Sequence, residues 1–317
     1  MWRLPAGVVL FVLMSTSFAW PERPVRIVVP FAPGGTADTL GRLTAQKFAE
    51  TLGQPFVVEN RPGAGGAIGS ELVAKAAPDG YTLLVSGVAT LALAPALPRG
   101  VAYDPVRDFT HIALFGGPPA VLVVTPSLPA RNLTEFIDLL KSQPGKHSYG
   151  SPGNGTHGHL VAELFKRSAG VDLQHVPYKG GTGAIADLIA GHLPAASITL
   201  TTASGQIHAG RARALALSSA ARLPDYPGVP TYAELGYGDI VATIWFSLSG
   251  PARLPAEIVE RLNAATRRIL ELAEIREKLR PEGIEPGKLN TAEFTAFVAA
   301  EVKRWGPVVK ASGAKND

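Results

Sequence analysis

Cysteine is absent from the 317 residues. That excludes a disulfide framework, a thiol nucleophile and a thiolate metal site. It also excludes the lipid-bearing cysteine on which a bacterial lipoprotein is cleaved. Charge is sparse at 18% of residues, with a formal excess of +4. No long basic run accompanies that excess, so a nucleic-acid binder is excluded. After the first residues no apolar run is long enough to cross a bilayer. In their place stand 46% hydrophobic residues, 34 glycines and 27 prolines. Such a chain builds an ordinary hydrophobic core, and its length predicts two domains.

The N-terminus reads Met1-Trp2-Arg3, then an apolar stretch centred on residues 8–14, then Ser15-Thr16-Ser17-Phe18-Ala19. A basic start, a short apolar centre and small residues before a cleavage point are the features of a secretory signal peptide. The sequence predicts cleavage after Ala19 and export to the periplasm. The alternative is an uncleaved anchor, for which the apolar stretch is short. Loss of Arg3 leaves 29 basic against 26 acidic residues, a net charge of +3.

The mature chain is organised around residues 25–52. Val25, Ile27, Val28 and Val29 read as a buried strand. Pro30 breaks it, and residues 31–38 form a glycine-containing loop. A helix follows, with Leu40, Leu43, Thr44, Phe48 and Leu52 on one face. Similar strand–turn–helix corners recur. Strands are predicted over 56–59 and 81–86, with a short helix over 70–76 between them. This βαβαβ pattern implies a mainly parallel sheet with helices on its faces. Strands over 110–115 and 120–125 lead to a crossing between domains. A second set then follows: strands over 148–150, 173–176, 196–199 and 214–217, separated by helices, one of them over 184–190. An apolar strand over 241–248 returns to the first domain, with Trp245 and Phe246 as core or hinge packing. Helices over 256–272, 274–279 and 291–310 complete the chain.

In open α/β sheets ligands bind beyond the carboxyl ends of the strands. Four loops qualify. The first carries Phe31, Gly34, Gly35, Thr36 and Asp38; Thr36 and Asp38 either cap the helix or face the ligand. The second carries Ser86 and Thr90. The third carries Ser151, Asn154, Gly155 and Thr156. The fourth spans residues 178–182 and precedes Asp187, read either as a cap or as a ligand contact. These loops are rich in neutral donors and poor in fixed charge. A small carboxylate, held by N–H and O–H groups at helix N-termini, suits them. A polyphosphate suits them less, since no G-x-x-x-x-G-K-[ST] occurs.

Gly153-Asn154-Gly155-Thr156-His157-Gly158 matches G-x-G-x-x-G and keeps open a nucleotide-binding enzyme. The unit lies mid-chain, however, and Asp172 stands 14 residues beyond Gly158 rather than about 20. His157 and His159 do not share a helical face. His159 and Glu163 lie one turn apart without an evident third metal ligand, so capping or surface roles are expected for the histidines. No G-x-S-x-G elbow is present, and no acid–base pair can be assembled. No catalytic residue, metal or cofactor is therefore expected.

Several segments, in this order, resemble the periplasmic solute receptors of tripartite tricarboxylate transporters, the Bug receptor family. They are residues 29–38 (VPFAPGGTAD), 58–66 (VENRPGAGG), 78–84 (PDGYTLL), 151–160, 176–181 (VPYKGG) and 229–236 (VPTYAELG). The resemblance covers essentially the whole mature chain. It implies a two-lobed, type II periplasmic-binding (Venus-flytrap) α/β fold, each lobe a mixed, mainly parallel sheet flanked by helices. Residues 20–121 and 243–317 would form one lobe and 122–242 the other. It further implies a small organic or aromatic carboxylate gripped between loops 34–36 and 151–156, with the Ser86 loop as a third wall. The implied partner is a membrane permease and the implied state a monomer; a signalling partner fits the same sequence. The chain departs from the family at Gly191-His192-Leu193-Pro194, where Gly-Gln-Val-Asp is frequent, and at residues 195–199, which lack the usual aromatic.

Overall fold

The computed structural model describes residues 20–314; the expected signal segment lies outside the described residues. The first sheet is built from β1 (Val25–Val29), β2 (Phe56–Asn60), β3 (Thr82–Gly87), β4 (Phe109–Gly116) and, much later in the chain, β10 (Phe246–Pro251). The second takes β5 (Ala120–Val124), β6 (Ser148–Ser151), β7 (Gln174–Pro177), β8 (Ala195–Thr199) and β9 (Arg213–Leu217). Helices α1 (Thr36–Leu52) and α2 (Ala67–Ala74) connect the early strands of the first sheet. In the second half α3 (Leu133–Ser142), α4 (His157–Ala169), α5 (Gly181–Ile189) and α6 (Leu200–His208) do the same. The C-terminal helices are α7 (Ala256–Glu271), α8 (Ala273–Leu279) and α9 (Thr291–Ala311).

The two sheets share one plan. Their orders are β2-β1-β3-β10-β4 and β7-β6-β8-β5-β9. In each, the first three strands are parallel and the fourth is antiparallel to both neighbours. That fourth strand is the one reached by crossing from the other half of the chain. Strands β1 and β5 are apolar throughout or nearly so and are buried on both faces, the condition under which parallel-rich sheets are covered by helices on both sides.

Two segments cross between the halves, and they pair. Pro119 bridges Thr243, and Ile244 N–H donates to Pro118 O at 2.9 Å. Ser218 fixes the junction: its N–H donates to Ala120 O, and its hydroxyl takes the Ala120 N–H at 2.8 Å and donates to Ala242 O. A Cβ at Gly117 would stand 1.9 Å from Ile244 O, so this approach requires glycine. The return strand therefore begins at Phe246, not 241; residues 241–245 are spent on the crossing pair.

Helix α9 opens with a capping box, Asn290 and Glu293 each accepting the other's backbone N–H. Farther along, buried Glu301 accepts the indole N–H groups of Trp245 and Trp305, both at 2.9 Å, and Arg304 at 3.2 Å. The Trp305 ring lies 5.7 Å from His157 at the start of α4. The last helix thus ties the return crossing to the second half. Two other helices start earlier than the sequence predicts: α2 at Ala67, launched by Gly66 in the left-handed region, and α5 at Gly181, directly after the Gly180 turn.

Candidate functional site

In both sheets the chain leaves the second strand of the order toward one edge and the third toward the other. A crevice opens between such diverging connections at the strands' carboxyl ends. It lies beyond β1 and β3 in one half, and beyond β6 and β8 in the other.

In the first half, Thr36 is the first residue of α1 and Asp38 the third. Asp38 does not face outward. It is buried, and its carboxylate accepts from Gly34 N–H at 3.0 Å, Arg42 Nε at 2.9 Å and Asn60 Nδ2 at 2.9 Å. Asn60 also donates to Phe31 O at 3.1 Å and accepts from Arg42. The knot closes the 31–36 loop on itself. The Arg42 hydrogen bond, with those from Gly34 and Asn60, holds the Asp38 carboxyl at about 2 against the cost of burial. Of the two roles open to Asp38, capping or ligand contact, its carboxylate here serves as a loop clamp. Thr36, in contrast, has no hydrogen-bond partner for its hydroxyl among the described residues. Gly34 at φ +91° and Gly35 both have open space where a Cβ would stand.

The second predicted loop is not a loop. Strand β3 runs to Gly87, and a π-helical turn over Ala89–Leu93 follows at once. Ser86 is fully buried, its hydroxyl 2.7 Å from those of both Ser247 and Ser249 on β10. Thr90, equally buried, exchanges hydrogen bonds with the backbone of Gly87 at 3.2 Å. Both hydroxyls are engaged within the protein. Thr90 does shape the wall: a Cβ at Gly66 would meet its methyl at 2.6 Å and the Phe31 ring at 3.2 Å.

The second half repeats the corner. Ser151 ends β6, and its hydroxyl takes the Gly153 N–H at 3.1 Å and lies 2.6 Å from His175 Nε2. Thr156 donates to Gly153 O at 2.7 Å. Gly155, at φ +67°, donates its N–H to His159 Nδ1 at 3.1 Å. Asn154 is exposed, and its amide has no partner among the described residues. Thr36 and Asn154 are therefore the two predicted side chains left uncommitted, one at each corner. Gly155 also lies where the halves meet, since its missing Cβ would stand 3.2 Å from Leu97 and 3.7 Å from Ala314.

Asp187 is in the last turn of α5, so it does not cap the helix start, and it accepts from Tyr178 OH at 2.6 Å. That bond raises the Tyr178 phenol to about 12. His192, in the departure segment, pairs with the same carboxylate at 3.8 Å. Asp187 thus braces the 178–182 turn. Of the two roles expected for the histidines, the surface one is excluded because His157 and His159 are both buried, while His159 does accept a backbone N–H ahead of its helix. Both ring nitrogens of His157 lack a partner, and burial lowers its imidazole to about 3. Arg42, Asn60 and His175 were not foreseen as parts of the site. Among the described residues no cluster of three or more His, Asp or Glu side chains is placed to hold a metal, and no helix is long and apolar enough to cross a membrane.

The profile of the tripartite tricarboxylate transporter family receptor matches residues 40–314. BugT of Bordetella pertussis is 35% identical, over 99% of both chains. A Rhodopseudomonas palustris protein, Rpa4515, solved with adipate, is 37% identical with a TM-score of 0.80, covering 93% of this chain and 99% of its own. MatC from the same organism, solved with bound malate, is 34% identical with a TM-score of 0.76, covering 92% and 100%.

Proposed function

Because the chain belongs to the tripartite tricarboxylate transporter receptor family, we propose that it captures a small carboxylate between two matching strand–glycine–helix corners. The observation that carries this reading is the pair of uncommitted side chains, Thr36 as the first residue of α1 and Asn154 in the loop that leads into α4, beside helix ends whose first N–H groups have no intrahelical acceptor. One corner stands in each half. Gly34 and Gly35 leave the first backbone open to close approach, and Phe31 with Thr90 and Gly66 walls it. The ligands of Rpa4515 and MatC, adipate and malate, are of the class that such neutral donors suit.

The lobes are residues 20–119 with 243–314, and 120–242, the first boundary moved back from 121 so that β5 stays whole in the second sheet. They hinge about the paired crossings at 116–119 and 241–245. A carboxylate that contacts both corners favours the closed arrangement by its differential affinity for it. The closed form docks on a membrane permease, delivering ligand from the periplasm as a monomer. The role proposed is that of a binding receptor; beside the corners, the Asp38 carboxylate and the His159 imidazole accept backbone N–H groups of their own loops. Calorimetric titration of Thr36→Ala and Asn154→Ala tests the reading. Each substitution weakens carboxylate binding by about 1 kcal/mol or more. Unchanged affinity in both variants contradicts it.

A further inference from the structure

The loop of the second corner is held from behind by two imidazoles. His159 Nδ1 accepts the Gly155 N–H at 3.1 Å. A backbone N–H can only donate, so this nitrogen carries a lone pair and the ring proton belongs on Nε2. The His159 ring stacks on His175 with centroids 4.0 Å apart and planes 10° from parallel. His175 in turn reaches Ser151, the residue from which the loop departs, at 2.6 Å. Both ends of the loop therefore rest on one stacked pair, from β7 and α4.

The surrounding charges are already engaged. On α4, Glu163 accepts from Lys166 at 2.8 Å and from Tyr149 of β6 at 2.9 Å. Tyr149 also stacks on His175, with centroids 5.0 Å apart. Strand β5 presents only aliphatic side chains, and β8 presents Ser197, whose hydroxyl is bound to Gly158 O. Helix α9 presents Glu301 and Arg304, which are bound to Trp305 and Trp245 and to the carbonyl of Asp239. No uncommitted carboxylate faces the pair. Two imidazolium rings 4.0 Å apart repel, and a proton on Nδ1 removes the acceptor that Gly155 uses.

We propose that neutral His159, backed by His175, is the positioning residue of the 151–156 loop, and that protonation of this stack frees the loop and weakens carboxylate capture. The effect on capture rests on the receptor reading above; the effect on the loop does not. Burial acts in the required direction, lowering His159 and bringing His175 down to about 4, so the loop is held at neutral pH.

The test follows the Gly155 amide by hydrogen exchange in the mature chain, with the exchange rate corrected for pH. Asn at 159 places an amide oxygen near the Nδ1 position and does not titrate; Phe offers no acceptor. In the wild type, protection of Gly155 falls about tenfold as pH drops from 6.5 toward 4. His159→Asn keeps it across that range, and His159→Phe lacks it at neutral pH while the rest of α4 stays protected. Retained Gly155 protection in His159→Phe, or an equal fall in wild type and His159→Asn, overturns the proposal. Adipate is the probe for the second arm. Its affinity falls with protection in the wild type and stays flat in His159→Asn; a wild-type affinity that holds while protection falls overturns the link to capture. If no mono-, di-, tri- or aromatic carboxylate binds at any pH, the receptor reading fails while the exchange result still judges the loop.

Discussion

Asp38 and His159 do the same task in the two halves of the molecule. Each is the third residue of its helix, and each accepts the backbone N–H of the glycine four residues earlier, at 3.0 and 3.1 Å. One uses a carboxylate, the other a neutral imidazole. The duplicated corner is thus duplicated in its clamp, though with different titration chemistry on the two sides.

The carboxylate clamp carries a stability consequence. Asp38→Ala leaves Gly34 N–H, Asn60 and Arg42 without their acceptor and costs about 2–3 kcal/mol, measured by urea unfolding. The native carboxyl is held at about 2, below its usual 3.8. Its contribution is therefore complete above the unfolded value and is lost as pH falls through the folded one. The gap between wild type and Asp38→Ala closes over that interval and is unchanged above it.

The histidines titrate the other way in cause but toward the same end. Burial lowers His111 and His175 to about 4 and His157 to about 3. The unfolded chain takes up these protons near 6.5, so stability declines as pH falls from 6.5 toward 3–4. His157 contributes to this decline without any hydrogen bond in return, since both its nitrogens are unpartnered beside Trp305. His157→Phe is neutral or stabilising by about 1 kcal/mol at neutral pH and flattens the acid decline in a thermal melt. A loss of stability at neutral pH would refute this.

Two glycines separate folding from capture. Gly117→Ala drives a methyl into Ile244 O at 1.9 Å and destabilises the crossing by about 3 kcal/mol, seen as a lower urea midpoint. Gly35 has ordinary φ and open space, so Gly35→Ala changes stability by less than about 0.5 kcal/mol. On the proposed capture site it weakens carboxylate binding, because the added methyl fills the open space beside the Gly35 backbone.

The repeated corners were legible in the sequence because apolar period and glycine placement act locally. What stayed hidden came from strand register. Asn60 reaches Asp38 because it ends β2 beside Val29, and His175 reaches Ser151 because it pairs with Tyr149 one strand over. Spacing along the chain carries no trace of either. Ser86 was read with the third wall of the cleft; Ser247 and Ser249, two apart on one face of β10, were the sign of the buried serine cluster it joins. Asp38 looked ambiguous because a carboxylate at the third position of a helix serves equally to clamp a loop or to meet a ligand; Arg42 one turn later was the local sign that decided it.

The central claim is that this chain captures a small carboxylate. The direct measurement is a thermal-shift screen of the mature protein, stripped of co-purified ligand, against mono-, di- and tricarboxylates, aromatic acids, amino acids and NAD. A ligand at 100 times its dissociation constant adds about 2.7 kcal/mol to stability. The account predicts that shift from at least one carboxylate and none from NAD. Stabilisation by NAD alone, or by no carboxylate in the panel, would contradict it.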